Sequence, residues 1–212
     1  MSKSLVAHRS PSHTTLLHPV LMTFLLMIGF LKLTGIDYQR YREATALLDF
    51  MLGMSVVALG YLMYEQSEHI RGNAVAILTA TLVGCVVGVG SVVGIAAAMG
   101  ADSEILISIA PKSVTVPIAV SIAEPMGGIV SITSVVVFLT GIFGSIIGSW
   151  VLDRTGVSLP QARGLAMGSA AHGIGTARAV EMGAVEGALS GLAIALMGAV
   201  SAIFIPLAER LF

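Results

Sequence analysis

The chain has 212 residues, 56% of them hydrophobic and only 11% charged, with a formal net charge of −1 and one cysteine. Soluble domains carry roughly 25% charged residues, so a mean hydropathy of +0.94 marks a chain with too little charge to coat a water-facing surface. The near-neutral balance without a Lys/Arg cluster excludes a nucleic-acid partner, and a lone Cys85 excludes an internal disulfide.

Three long runs free of Asp, Glu, Lys and Arg identify the solvent as lipid. Asn73–Ala101, Pro125–Leu152 and Gly187–Ala208 are 29, 28 and 22 residues long, against the roughly 20 needed to cross hydrocarbon. The fold class expected is an all-α polytopic membrane protein of about seven transmembrane segments, two of them broken helices, in a transporter-like bundle. The domain layout expected is a polar tail over 1–15 and a membrane domain over 16–212.

In chain order, a first span is expected over Leu16–Leu33, with Lys32 snorkelling at its end. No A-x-A-like cleavage site follows Leu33, so the segment is expected to be retained rather than removed as a signal peptide. Thr34-Gly35-Ile36-Asp37 reads as a turn and Tyr38–Glu43 as an interfacial connection. A second span follows over Ala44–Tyr64, with Asp49 near its start, then a charged loop over Glu65–Asn73 and a third span to Met99.

From Ile105 the pattern changes. Pro111-Lys112-Ser113-Val114-Thr115-Val116-Pro117 interrupts an apolar segment that resumes at Ile118–Ala123. Each proline removes a backbone donor and clashes with the preceding turn, so one regular helix cannot hold both. A turn at Glu124–Gly128 leads to a clean span over Ile129–Leu152 and a polar loop over Asp153–Pro160. A second interrupted segment, Gln161–Glu181, precedes a last span to Leu207. The order break, span, loop, break, span is a weak internal repeat, and paired interrupted segments point to the midplane site of a transporter.

Small residues four apart, Gly84/Gly88, Gly90/Gly94, Gly144/Gly148 and Gly183/Gly187/Gly191, predict close helix packing. Orientation does not follow: Lys3, Arg9 and Arg71 oppose Lys32, Arg40 and Arg42.

The polar residues inside the two breaks are the candidate site. Lys112, with the hydroxyls of Ser113 and Thr115, can complete a carboxylate site at half-helix N-termini; the competing reading is a lysine that snorkels to the headgroups. Arg178 offers a planar fork to a carboxylate, whereas Glu181 three residues on would neutralise it within the helix. His172, beside Gly173-Ile174-Gly175-Thr176, can titrate during transport or serve as a hydrogen-bonded structural group. Glu124 and Glu186 adjoin apolar spans and read as solvated boundary charges or as a coupling carboxylate, and Asp49 as a charge at the start of a span. No metal ligand cluster and no nucleophile or Walker motif is present, so no enzyme activity, catalytic residue, cofactor or metal is expected.

Two of these motifs, taken together, resemble those of the LrgB/CidB family. They are Pro111-Lys112-Ser113-Val114-Thr115 with Pro117-Ile118-Ala119, and Ala162-Arg163-Gly164-Leu165-Ala166-Met167-Gly168 leading to Ala171-His172, Ile174-Gly175-Thr176-Ala177-Arg178-Ala179, Glu181 and Glu186-Gly187-Ala188. The similarity runs from about Pro19 to Pro206 and takes in Leu33-Thr34-Gly35-Ile36 and Val57-Ala58-Leu59. It implies a multi-pass protein of the bacterial inner membrane, antiholin-like, acting on murein hydrolase activity and autolysis. Related members include a plastidial glycolate/glycerate translocator, which implies transport of small 2-hydroxy or 2-oxo monocarboxylates such as glycolate, lactate and pyruvate. The substrate-binding residues expected are Lys112, Ser113, Thr115, His172, Thr176, Arg178 and Glu181. The partners expected are the lipid bilayer, a small carboxylate anion, a small holin-like membrane protein and further copies of the chain. The alternative is a non-transporting regulator of that holin-like partner. The chain departs from the family in having only a polar tail ahead of Leu16, and in Met54 and Leu62, where members carry prolines. The helix over Asp49–Tyr64 is therefore expected to be continuous.

Overall fold

The computed structural model describes residues 19–48, 50, 51, 54, 61 and 67–209, and every regular element among them is helical. The chain divides into two compact units, Met1–Leu47 and Leu48–Phe212. The first holds α1 (Pro19–Thr34) and α2 (Tyr38–Ala44). Gly35, at φ +67, turns the chain between them, and the Asp37 carboxylate accepts the Gln39 N–H at 3.0 Å to cap α2. The interfacial connection read at Tyr38–Glu43 is thus a short helix. The polar tail lies outside the described residues, as does most of the second span expected over Ala44–Tyr64, Asp49 included.

The second unit contains α3 (Ser67–Ala98), α4 (Ser103–Ile109), α5 (Val116–Ala123), α6 (Val130–Arg154), α7 (Pro160–Met182) and α8 (Ala184–Ala208). The charged segment expected as a loop over Glu65–Asn73 is helical from Ser67, with one non-helical residue at Asn73. Among the described residues three helices are long and apolar enough to cross a membrane: Asn73–Ala98, Val130–Arg154 and Ala184–Ala208. Met22–Thr34 and Val116–Met126 are shorter apolar helices. The count of seven is not confirmed: the two broken segments do not cross, and the second expected span lies mostly outside the described residues.

The first broken segment dips in and returns. After the turn at Met99–Asp102, α4 folds back along α3, and Leu106, Ala110 and Val114 join Val93, Val89 and Cys85 in one core. Ser113 reaches Gly88 near the middle of α3, where an added Cβ would lie 3.8 Å from Ser113 Oγ. Then α5 climbs back. At Gly128 a Cβ would meet both Ala123, the last residue of α5, at 3.0 Å and Ile107 of α4 at 3.1 Å. The outer ends of the two legs are thus neighbours. Ser108 Oγ accepts the Ile129 N–H at 2.7 Å, tying the start of α6 to the hairpin. Each leg is about 12 Å long at 1.5 Å per residue, too short to span.

The second broken segment does the same from the other end. Ala171 (φ −131, ψ 16) and His172 (φ 41, ψ −136) leave helical geometry, and the chain doubles back. A Cβ on Gly175 would lie 2.8 Å from the carbonyl oxygen of Met167, eight residues earlier; a straight helix would hold them about 12 Å apart. The first leg abuts α8 where Gly164 meets the Glu186 backbone and Gly168 meets the Ser190 carbonyl. The second leg abuts the same stretch, with Thr176 Oγ1 2.7 Å from Ser190 Oγ and Val180 against Gly187.

The unit is therefore a pair of inverted repeats, each a re-entrant hairpin followed by a span. The hairpin of α4 and α5 enters from the end of the bundle that holds Glu124, and α6 crosses to the end that holds Arg154. The α7 hairpin enters there, and α8 crosses back parallel to α3, with Cys85 Sγ 3.5 Å from Ser201 Oγ. The weak repeat seen in the sequence is real, and its two copies are inverted.

Small residues make this packing fit. Along α6, Gly148 faces Met167 Sδ, Gly144 faces the Ala171 side chain, and Gly141 faces the His172 ring, where a Cβ would lie 2.7 Å from Cε1. Gly168→Val, which would drive a side chain into the Ser190 carbonyl and Ala193, is expected to cost about 1–3 kcal/mol and to lower the melting midpoint in detergent. Gly94→Ala, at a position with nothing within 4 Å, is expected to leave it unchanged.

Candidate functional site

Proline geometry builds the first hairpin tip. Pro117 sits in the first turn of α5, where its missing N–H costs nothing, and the residues from Ala110 to Thr115 turn without forming a regular helix. Lys112 Nζ donates to Ser113 Oγ at 3.0 Å, which leaves the serine O–H free to donate elsewhere. Lys112 is half-buried and Ser113 buried. No ion pair among the described residues includes Lys112. Thr115 Oγ1 is buried without a hydrogen-bond partner among the described residues, and so is Thr133 Oγ1 on α6. The tip therefore gathers one cation, two hydroxyls and the N-terminus of α5.

The second tip is more fully satisfied. His172, 5% exposed, donates from Nε2 to the carbonyl oxygen of Val137 on α6 at 2.9 Å. The Thr176 O–H donates to the His172 carbonyl at 2.9 Å, so Ser190 is the donor in the 2.7 Å hydroxyl pair with Thr176. The His172 carbonyl at the break is thus held by a side chain, as lipid requires. His172 is thus buried and hydrogen-bonded.

Val137 is the point where the tips converge. Its side chain, fully buried, packs in the same core as Val114, Ile118 and Ala119 of the first hairpin, while its carbonyl holds His172 of the second.

Arg178 and Glu181 stand differently from the rest. Arg178 has a side chain 38% exposed and pairs with Glu181 at 2.6 Å. This is the internal neutralisation that their three-residue spacing allows. The structure thus gathers Lys112, Ser113 and Thr115 at one tip and His172 and Thr176 at the other, with Arg178–Glu181 one to two turns below the second. Sequence reasoning missed Ser190, Thr133 and the Val137 carbonyl, because each lies in an unbroken apolar run where no local pattern marks it. No cluster of three or more His, Cys, Asp or Glu that could hold a metal occurs among the described residues.

Residues 3–211 match the LrgB-like family. The chain belongs to that family. It is 36% identical over 194 residues to the Bacillus subtilis (strain 168) protein YxaC, covering 92% of this chain and 84% of the relative. It is 30% identical over 197 residues to the holin-like protein CidB of Staphylococcus epidermidis (strain ATCC 12228 / FDA PCI 1200), covering 93% and 86%. It is 32% identical over 189 residues to the antiholin-like protein LrgB of Bacillus mycoides (strain KBAB4), covering 89% and 82%. No solved structure matches. With three long apolar helices, this member of the family is a multi-pass bacterial membrane protein.

His172 adopts a backbone conformation that side chains other than hydrogen rarely accept. His172→Ala loses the Val137 hydrogen bond and keeps the strain, while His172→Gly loses the bond and relieves it. The glycine variant is expected to be the more stable of the two by about 1 kcal/mol, read as the difference in their denaturation midpoints.

Proposed function

We propose that this chain carries small 2-hydroxy or 2-oxo monocarboxylates, of the glycolate, lactate and pyruvate class, across the bacterial inner membrane. The observation that carries this reading is Lys112, a cation without an acidic partner among the described residues, at the tip of a re-entrant hairpin near mid-depth. A charge at that depth is costly in an apolar bundle and is retained where an anion offsets it. The Ser113 and Thr115 hydroxyls and the first-turn N–H groups of α5 supply the remaining donors for a carboxylate. Two hairpins entering from opposite ends give a route for alternating access, each tip yielding in turn. Across Val137, His172 and Thr176 bound the site. Arg178 joins it by exchanging Glu181 for the substrate in another state of the cycle.

A second reading is favoured by relatives named holin-like and antiholin-like. In it the chain regulates a small holin-like partner, and through it murein hydrolases, without moving a solute. The two readings separate in proteoliposomes. Saturable uptake of labelled glycolate, lactate or pyruvate is expected from the wild type. Lys112→Met is expected to reduce it about tenfold to a hundredfold, the loss of one charge-assisted hydrogen-bonding partner, without lowering the melting midpoint. Absence of flux for all three acids, in folded protein, would favour the regulator.

A further inference from the structure

The charges of the second unit become readable once the hairpins are seen to be re-entrant. Counted as crossings, the broken segments scramble the sides. Counted as hairpins, they return the chain to the end it came from, and every connection between the described helices of the unit acquires a definite side. The Glu124 end holds the turn between α3 and α4, the turn between α5 and α6, and the end of α8. Its charges among the described residues are Asp102, Glu104, Glu124 and Glu209. The Arg154 end holds the start of α3, the loop between α6 and α7, and the joint between α7 and α8. There lie Arg71, Arg154 and Arg163, with Asp153 paired to Arg163 at 2.7 Å, and at the joint Glu186 and Glu181, the latter paired to Arg178 at 2.6 Å.

Arginine and lysine flanking short loops set orientation, whereas acidic residues contribute little. Among the described residues three arginines flank the connections at the Arg154 end and none those at the other, where Arg210 follows Glu209 in the sequence. The Arg154 end also carries an interfacial anchor: the Arg154 guanidinium lies 5.7 Å over the ring of the exposed Trp150, which suits a headgroup region. Lys32, Arg40 and Arg42 belong to the first unit and do not enter this count.

We infer that the second unit is inserted with its Arg154 end in the cytoplasm, so that the hairpin bearing Lys112 dips in from the external side and the hairpin bearing His172 from the cytoplasmic side. This holds whether or not an anion moves. If one does, Lys112 is the part of its site on the hairpin that opens outward, and the strained His172 tip belongs to the inward hairpin.

Cysteine labelling in intact cells tests it. In a Cys85→Ala background, Ser103→Cys at the start of α4 and Ser158→Cys in the loop before α7 are conservative changes at exposed positions. A membrane-impermeant maleimide is expected to label Ser103→Cys in intact cells and Ser158→Cys only after permeabilisation. The pair Asp102→Cys and Thr155→Cys is expected to repeat the pattern. Labelling of Ser158→Cys alone in intact cells would reverse the orientation. Labelling of both from outside would show that the two positions do not lie on opposite sides.

Discussion

A backbone that breaks inside a membrane must find partners for the groups it frees, because lipid offers none. Where the chain reverses, the Thr176 O–H meets the freed His172 carbonyl, and a hydrogen bond from His172 Nε2 to the Val137 carbonyl of α6 anchors the ring. The latter bond fixes the tip of the second hairpin against α6, at the residue whose side chain also joins the core of the first hairpin. The Thr176–Ser190 pair then secures the second leg to α8. Without a stable reversal at Ala171–His172, α7 would be one straight helix of 23 residues, long enough to cross, and α8 would begin at the opposite end of the bundle. The inverted arrangement rests on that one turn.

The two tips solve the same problem unequally, and the difference bears on function. The His172 tip meets its needs internally. The Lys112 tip is left with a cation, a free serine O–H and an unpartnered threonine hydroxyl. Three groups with unused hydrogen-bonding capacity at mid-depth are expensive in an otherwise apolar bundle. A carboxylate would use all three. The carrier reading proposed above rests on this asymmetry, and the family to which the chain belongs is compatible with it.

Much of this was legible in the sequence, and the failures are instructive. The prolines at 111 and 117 announced the first break to within a residue, because proline acts on the backbone locally. The glycines of 144 and 148 announced a close approach for a similar reason. The second break was located only as the segment 161–181: His172 itself turns the chain at positive φ, which no propensity favours, and the flanking glycines drew attention instead. Whether a broken segment crosses or returns depends on contacts eight and more residues apart, such as Met167 with Gly175, and these leave no periodic trace. The small residues beside Arg178 do not enclose it: Ala177 is itself exposed, and the guanidinium pairs with Glu181 three residues on. Ser190 sits in an apolar run, and nothing in that run foretells its bond to Thr176.

The doubling back at His172 is the claim on which the rest stands, and a distance measures it. Spin labels on Gln161→Cys and Val180→Cys, both exposed, in a Cys85→Ala background, can be read by double electron–electron resonance. Two adjacent legs place the labelled backbones about 10–15 Å apart, close to the spacing of neighbouring helices. A continuous helix would separate the same residues by about 28 Å. The shorter distance is the result the re-entrant hairpin requires, and a distribution centred on the longer one would contradict it.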